Sequence, residues 1–278
     1  MAQAVGVGLF GCGTMGREVA LAAASGRTGA ARVIAVFDLD RQRALELAAS
    51  LGKAGSSPAT PSTLQEFLDT PSLRIIVECA SQAAVRAVAV PAVENGLDLL
   101  TISSGALLDQ DLHDRLVAAS ERTGANIIVP SGAIGGIDTL RAVRGMLEEV
   151  VLVSTKRPEA FAGAPGFAPY EGRRIDVPTV IFEGPAARAV PLFPANVNVA
   201  ATLSLAGLGP LRTKVKVVAD PASPGNVHEI IARGSFGVIR LRFENRPHPG
   251  NPKTSALAVY SAIEALRSYC SHGIKVGT

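Results

Sequence analysis

Three glycines raise the first chemical expectation: Gly11, Gly13 and Gly16, in Gly11-Cys12-Gly13-Thr14-Met15-Gly16, follow directly on the apolar run Val5-Gly6-Val7-Gly8-Leu9-Phe10. The order is strand, tight turn, helix. Gly11 lets the chain leave the strand sharply, Gly13 lets a diphosphate approach the backbone, and Gly16 lets the helix lie against the sheet. The N–H groups that open such a helix, with its peptide dipoles behind them, favour an anion. A second apolar run, Val33-Ile34-Ala35-Val36-Phe37, ends in Asp38, twenty-two residues after Gly16. A carboxylate at that distance accepts hydrogen bonds from an adenosine ribose, which points to NAD. Arg41 and Arg43 lie just beyond and could reach a 2′-phosphate, so these residues leave NADP open beside NAD. Gly11, Cys12, Gly13, Thr14, Met15, Gly16 and Asp38 are thus the expected nucleotide contacts.

A proton acceptor that titrates near neutrality is most simply a histidine, and the chain has four. His113 shares a polar helix face with Asp109, Asp111 and Asp114, and His272 lies in the C-terminal tail. His248 falls in the turn-rich Arg246-Pro247-His248-Pro249. His228 lies in Asn226-Val227-His228-Glu229-Ile230, where strand alternation puts Asn226 and His228 on one face. From the residues alone His228 is either a catalytic base or a satisfied structural histidine. An anion site is also expected at Asn251-Pro252-Lys253-Thr254-Ser255. Pro252 suits a first helical turn, and the following N–H groups, the hydroxyls of Thr254 and Ser255 and the ammonium of Lys253 would fit a substrate carboxylate. An ordinary capped helix start is the alternative.

The elements that position these residues follow from periodicity. The first half alternates short apolar runs with helical patterns, the signature of an α/β fold with a Rossmann-like, doubly wound parallel sheet. Strands are expected at 73–79, 97–102 and 125–129, and helices at 83–95 and 109–123. Ligands collect at the carboxyl edge of such strands, where small and hydroxylic residues recur: Ala80 and Ser81, Ser103-Ser104-Gly105, and Ser131-Gly132-Ala133. Ala80, Ser81, Ser104, Gly132 and Ala133 join the expected cofactor contacts. Near residue 150 the composition shifts toward a mixed α+β pattern, with strands at 151–156, 177–182, 213–218 and 238–243, and a helix over 198–206. A helix over 254–268 should return to the first domain. The division expected is a nucleotide domain of 1–132 and 252–278 and an α+β substrate and dimerisation domain of 133–251.

Composition excludes several classes. A chain of 278 residues can fill two cores. Its net charge of +3 is spread along the sequence without a dense basic block or any Trp, which argues against a nucleic-acid partner. Cys12, Cys79 and Cys270 are far apart and lack metal-ligand spacing, so no metal is expected and a reducing cytoplasm is. The N-terminus runs directly into a strand without a basic leader, and no apolar stretch reaches eighteen residues, so neither a signal peptide nor a membrane span is expected.

Taken in order, the glycine turn, Ser104-Gly105-Ala106-Leu107 with Asp109, Ser131-Gly132-Ala133-Ile134-Gly135-Gly136 with Asp138, Asn196-Val197-Asn198-Val199-Ala200-Ala201, Asp220-Pro221, Asn226-Val227-His228 and Asn251-Pro252-Lys253-Thr254-Ser255 resemble the L-aspartate dehydrogenase family of the NAD-biosynthetic type. The resemblance runs over nearly the whole chain, with 154–188 the least matched part. It implies a homodimer that oxidises L-aspartate with NAD(P)+ to iminoaspartate. It also implies that the active-site histidine is His228 and that Ala133 and Asn198 contact the nicotinamide side of the cofactor. Asn226, Lys253, Thr254 and Ser255 are the expected substrate contacts. Rival readings are another dehydrogenase of the same plan, such as homoserine dehydrogenase or dihydrodipicolinate reductase, and a non-catalytic NAD-binding sensor.

Overall fold

Alternating apolar runs and amphipathic helices resolve, in a computed structural model, into two units: Met1–Pro130 with Val259–Val276, and Ser131–Ala258. The structure describes residues 4–194, 198–274 and 276, with 251–253 as backbone only.

In the first unit β1 (Val5–Phe10), α1 (Thr14–Ala24), β2 (Ala31–Phe37), α2 (Arg41–Lys53), α3 (Leu64–Leu68), β3 (Leu73–Glu78), α4 (Gln82–Glu94), β4 (Asp98–Thr101), α5 (Gln110–Thr123) and β5 (Ile127–Ile128) build a parallel sheet of order β2-β1-β3-β4-β5. The chain leaves β1 for β2 on one side and then crosses to β3 on the other, so the order reverses at β1. That reversal opens a crevice at the carboxyl ends of the strands. Residues of β1, α1 and β2, including Val7, Leu9, Val19, Ala20 and Val36, share one buried cluster with Val259, Ala262, Ile263 and Leu266 of the last helix. The returning helix therefore completes this core. The fifth strand is shorter than its apolar run suggests, pairing only at Ile127 and Ile128.

The second unit contains α6 (Ile137–Ala142), β6 (Leu147–Lys156), β7 (Thr179–Pro185), α7 (Ala186–Leu192), α8 (Asn198–Ala206), β8 (Lys214–Ala219), β9 (Asn226–Gly234) and β10 (Gly237–Asn245). Its five-stranded sheet runs β10-β9-β6-β8-β7, with β6 and β8 parallel and the other pairs antiparallel. On β6 burial alternates, so that Val150, Leu152, Ser154 and Lys156 face inward. The matching face of β9 carries Asn226, His228, Ile230 and Ala232.

One expectation is corrected. Asn251–Ser255 is not a helix start but β12, paired antiparallel with β11 (Pro247–His248). The last helix, α9, spans Ala256–Cys270. Ser255 Oγ accepts a hydrogen bond from Leu257 N at 3.1 Å, so the cap lies at Ser255 and not at Asn251. Pro252 thus occupies a strand of a two-stranded ribbon, where its missing N–H is tolerated.

Candidate active site

The three glycines of the first turn are needed for different reasons. Gly11 has φ +100°, and a Cβ there would lie 2.7 Å from the Ala80 Cβ. A Cβ on Gly16 would lie 1.9 Å from the Gly11 carbonyl oxygen, so α1 could not sit at its present height. Around Gly13, by contrast, a Cβ would meet nothing within 4 Å. The fold itself demands Gly11 and Gly16, whereas Gly13 leaves open space at the N-cap of α1, whose first residues are Thr14, Met15 and Gly16. An uncluttered helix start of this kind fits a diphosphate.

Asp38 closes the turn. Its Oδ2 accepts from Cys12 N at 2.7 Å and its Oδ1 from Asp40 N at 2.9 Å. Cys12 is buried, its thiol reaches the Phe37 carbonyl at 3.7 Å, and burial, helped by the Asp38 charge, pushes its pKa up to about 12. It is a protonated filler and not a nucleophile. The two arginines that left NADP open have other contacts: Arg41 donates to Ser62 Oγ, and Arg43 pairs with Asp40 at 3.1 Å.

A residue that the sequence reading passed over organises the next two strand ends. Glu78, the last residue of β3, is wholly buried. Its Oε1 accepts from Ala80 N (2.8 Å), Ser81 N (3.0 Å) and Ser103 Oγ (3.0 Å), and its Oε2 from Thr101 Oγ1 (2.8 Å) and Ser103 N (3.2 Å). Desolvation raises its pKa, opposed by those hydrogen bonds. Ala80 and Ser81, and the Ser103-Ser104 turn, are therefore hung on one carboxylate. Ser81 also caps α4 by accepting from Ala84 N at 3.1 Å, and the buried Ser104 opens a short 3-10 turn, Ser104–Leu108.

The second unit holds the candidate base. His228 is 2% exposed and stands opposite Ser154 in the β6–β9 register, with its Nδ1 3.2 Å from Ser154 Oγ. Burial first, and then the charge of Lys156, lower its pKa to about 3. Lys156, 4% exposed on the Ser154 face of β6, is itself lowered to about 8 by burial. Asn226 shares the His228 face and pairs in register with Asn245, whose Nδ2 donates to the Ala133 carbonyl at 2.8 Å. Neighbouring strands thus carry Asn245, Asn226, His228, Ser154 and Lys156 on one sheet, with Ala133 tied to Asn245. Gly132, just before Ala133, has φ +69°.

The other expected residues sit on separate elements. Asn198 begins α8, Thr254 is half-buried and Ser255 buried in β12. The Lys253 side chain, Asn196 and Val197 lie outside the described residues. His113 is exposed with its Nδ1 3.4 Å from Asp114, and His248 Nδ1 accepts from Gly250 N at 3.1 Å within its turn. Among the described residues no cluster of His, Cys, Asp and Glu could hold a metal ion, and no helix is long and apolar enough to cross a membrane.

A parallel nucleotide-binding sheet with its glycine turn, joined to a mixed sheet carrying a buried imidazole, defines an NAD-binding dehydrogenase. Residues 11–130 match the family described as homoserine dehydrogenase, NAD binding domain, and residues 138–269 match aspartate dehydrogenase, C-terminal. The chain is 41% identical over 276 residues to the L-aspartate dehydrogenase of Nitrosopumilus maritimus, covering 98% of this chain and 99% of that one. It is 42% identical over 275 residues to that of Methanosarcina barkeri, with the same coverage. It is also similar to the crystal structure of aspartate dehydrogenase from Thermotoga maritima, with a TM-score of 0.76, 26% identity and coverage of 99% and 100%. A myo-inositol dehydrogenase from Lactobacillus casei, 14% identical with a TM-score of 0.59, shares the fold. The chain belongs to the L-aspartate dehydrogenase family.

Proposed function

We propose that this protein oxidises L-aspartate to iminoaspartate, with Gly11 to Gly16, Asp38, Ala80, Ser81 and Ser104 holding the dinucleotide and His228 acting as the base. The first unit is the nucleotide domain; the second carries the substrate and the dimer contact. When bound, NAD accepts the hydride from the aspartate α-carbon. That carbon releases hydride only when the amine is deprotonated, because the nitrogen lone pair must stabilise the developing iminium. His228 meets this need as a neutral imidazole able to take the amine proton, or the proton of the water that attacks the imine. Ser154 orients it through its hydroxyl, and Asn226, on the same sheet face, is left to meet the substrate. Hydrolysis of the imine gives oxaloacetate and ammonia; its capture unhydrolysed would feed quinolinate and hence NAD synthesis. A cytoplasmic homodimer, with Ala133 and Asn198 toward the nicotinamide side and Thr254 toward the substrate, completes the reading.

The observation that carries it is the buried His228 hydrogen-bonded to Ser154 in a chain that also has the dinucleotide turn. The test is a matrix of NAD+ and NADP+ against L-aspartate, L-homoserine and L-malate, followed by absorbance of the reduced nicotinamide. Turnover with L-aspartate and NAD+ above all other pairs is expected. Turnover of homoserine in preference to aspartate, or none with any substrate while NADH still binds, would overturn the reading.

A further inference from the structure

A dicarboxylic amino acid needs more than a base: each carboxylate needs a cation or N–H groups to replace its water. The sheet of the second unit supplies a cation where the sequence showed only the last residue of a strand. Lys156 lies two residues beyond Ser154, on the same inward face of β6, and Ser154 holds the His228 ring. In the β6–β8 pairing Lys156 stands beside Ala219. Lys156 is 4% exposed, so its charge is not dispersed in bulk water. Its field reaches His228 strongly enough to be the second cause, after burial, of that ring's lowered basicity.

We propose that the Lys156 ammonium binds one carboxylate of the substrate and thereby seats the amine-bearing carbon beside His228. This rests on the aspartate reading above and names a contact for it. A carboxylate at Lys156 has a second effect. Its negative charge cancels the field that opposes protonation of His228, so the ring gains basicity when the substrate that must lose a proton arrives. An uncharged or singly charged analogue lacking the group at that position would neither be held nor raise the base.

Succinate is the probe, bound to the NADH-loaded full-length protein and followed by calorimetry, with butyrate as the monocarboxylate control. Lys156→Gln should weaken succinate binding and raise the KM for L-aspartate by roughly 10²-fold, the usual consequence of removing one partner of a desolvated charge pair. Affinity for NADH should stay within about twofold of the parent, and succinate should lose its advantage over butyrate. Succinate affinity within about threefold of the parent, with NADH binding intact, would overturn the proposal. If the variant no longer binds NADH, crystals of the unmodified protein with NADH and succinate decide the matter. A carboxylate oxygen within hydrogen-bond reach of Lys156 Nζ supports the proposal, and carboxylates held elsewhere sink it. Succinate seated on Lys156 in a protein that fails to oxidise aspartate would overturn the reaction and leave this contact standing.

Discussion

Replacing Glu78 with Gln changes one buried atom and no volume, yet the geometry makes the change expensive. The carboxylate faces donors only: three at Oε1 and two at Oε2. An amide must turn its NH2 toward one of these sets. Toward Oε1 it would oppose the N–H groups of Ala80 and Ser81; toward Oε2 it would oppose one, that of Ser103. The hydroxyl of Thr101 can rotate to accept, but the Ser103 N–H cannot. The better orientation therefore leaves one buried N–H without an acceptor, at about 1–3 kcal/mol. A loss of about 2 kcal/mol in a unit of this size corresponds to a fall in Tm of roughly 4–8 °C. Because Ser103 carries the Ser103-Ser104 turn, NADH affinity, measured by fluorescence titration, should fall about tenfold, with KM for L-aspartate little changed once cofactor is saturating. A Glu78→Gln protein with unaltered Tm and unaltered NADH affinity would refute the idea that this carboxylate positions the two strand ends.

Two further outcomes follow from the same geometry. Gly13→Ala, at an extended residue with open space around it, should leave Tm within about 1 °C while weakening NADH. Gly16→Ala, whose methyl would meet the Gly11 carbonyl, should cost about 1–3 kcal/mol and be visible in the melt itself. Equal behaviour of the two variants in thermal scans would contradict these separate roles. Acid should also destabilise the protein through His228. Its folded pKa of about 3 lies below the ordinary value of 6.5, so the unfolded chain takes up the proton first. The stability it contributes is present above about pH 6.5 and is lost as pH falls toward 3. Between pH 7 and pH 5 the loss is about 2 kcal/mol. His228→Gln should lack that increment in urea titrations, and an unchanged pH slope would show that the ring is not held neutral.

The nucleotide half was legible because its signals are local. A strand, its glycine turn and the next strand's terminal Asp38 lie within about forty residues, and a hydrogen bond from Cys12 N ties Asp38 to the turn. His228 was legible for a similar reason, since alternation alone put it beside Asn226. Glu78 and Lys156 were not. The donors on Thr101 and Ser103 stand 23 and 25 residues from Glu78, and become its partners only because β4 lies next to β3. Lys156 looks like a solvated strand end until β6 is known to run between β8 and β9. The helix start expected at Pro252 failed for the converse reason. Its local chemistry was sound, but pairing of β12 with β11 used that backbone first and moved the cap to Ser255.

The central claim is that the imidazole of residue 228 moves the proton that hydride transfer requires. His228→Ala, assayed with saturating L-aspartate and NAD+ beside a fluorescence titration with NADH, tests it most directly. The account predicts kcat reduced by roughly 10²- to 10⁴-fold, with the NADH dissociation constant within about twofold of the parent. Turnover retained within tenfold in a variant that still binds NADH would contradict it.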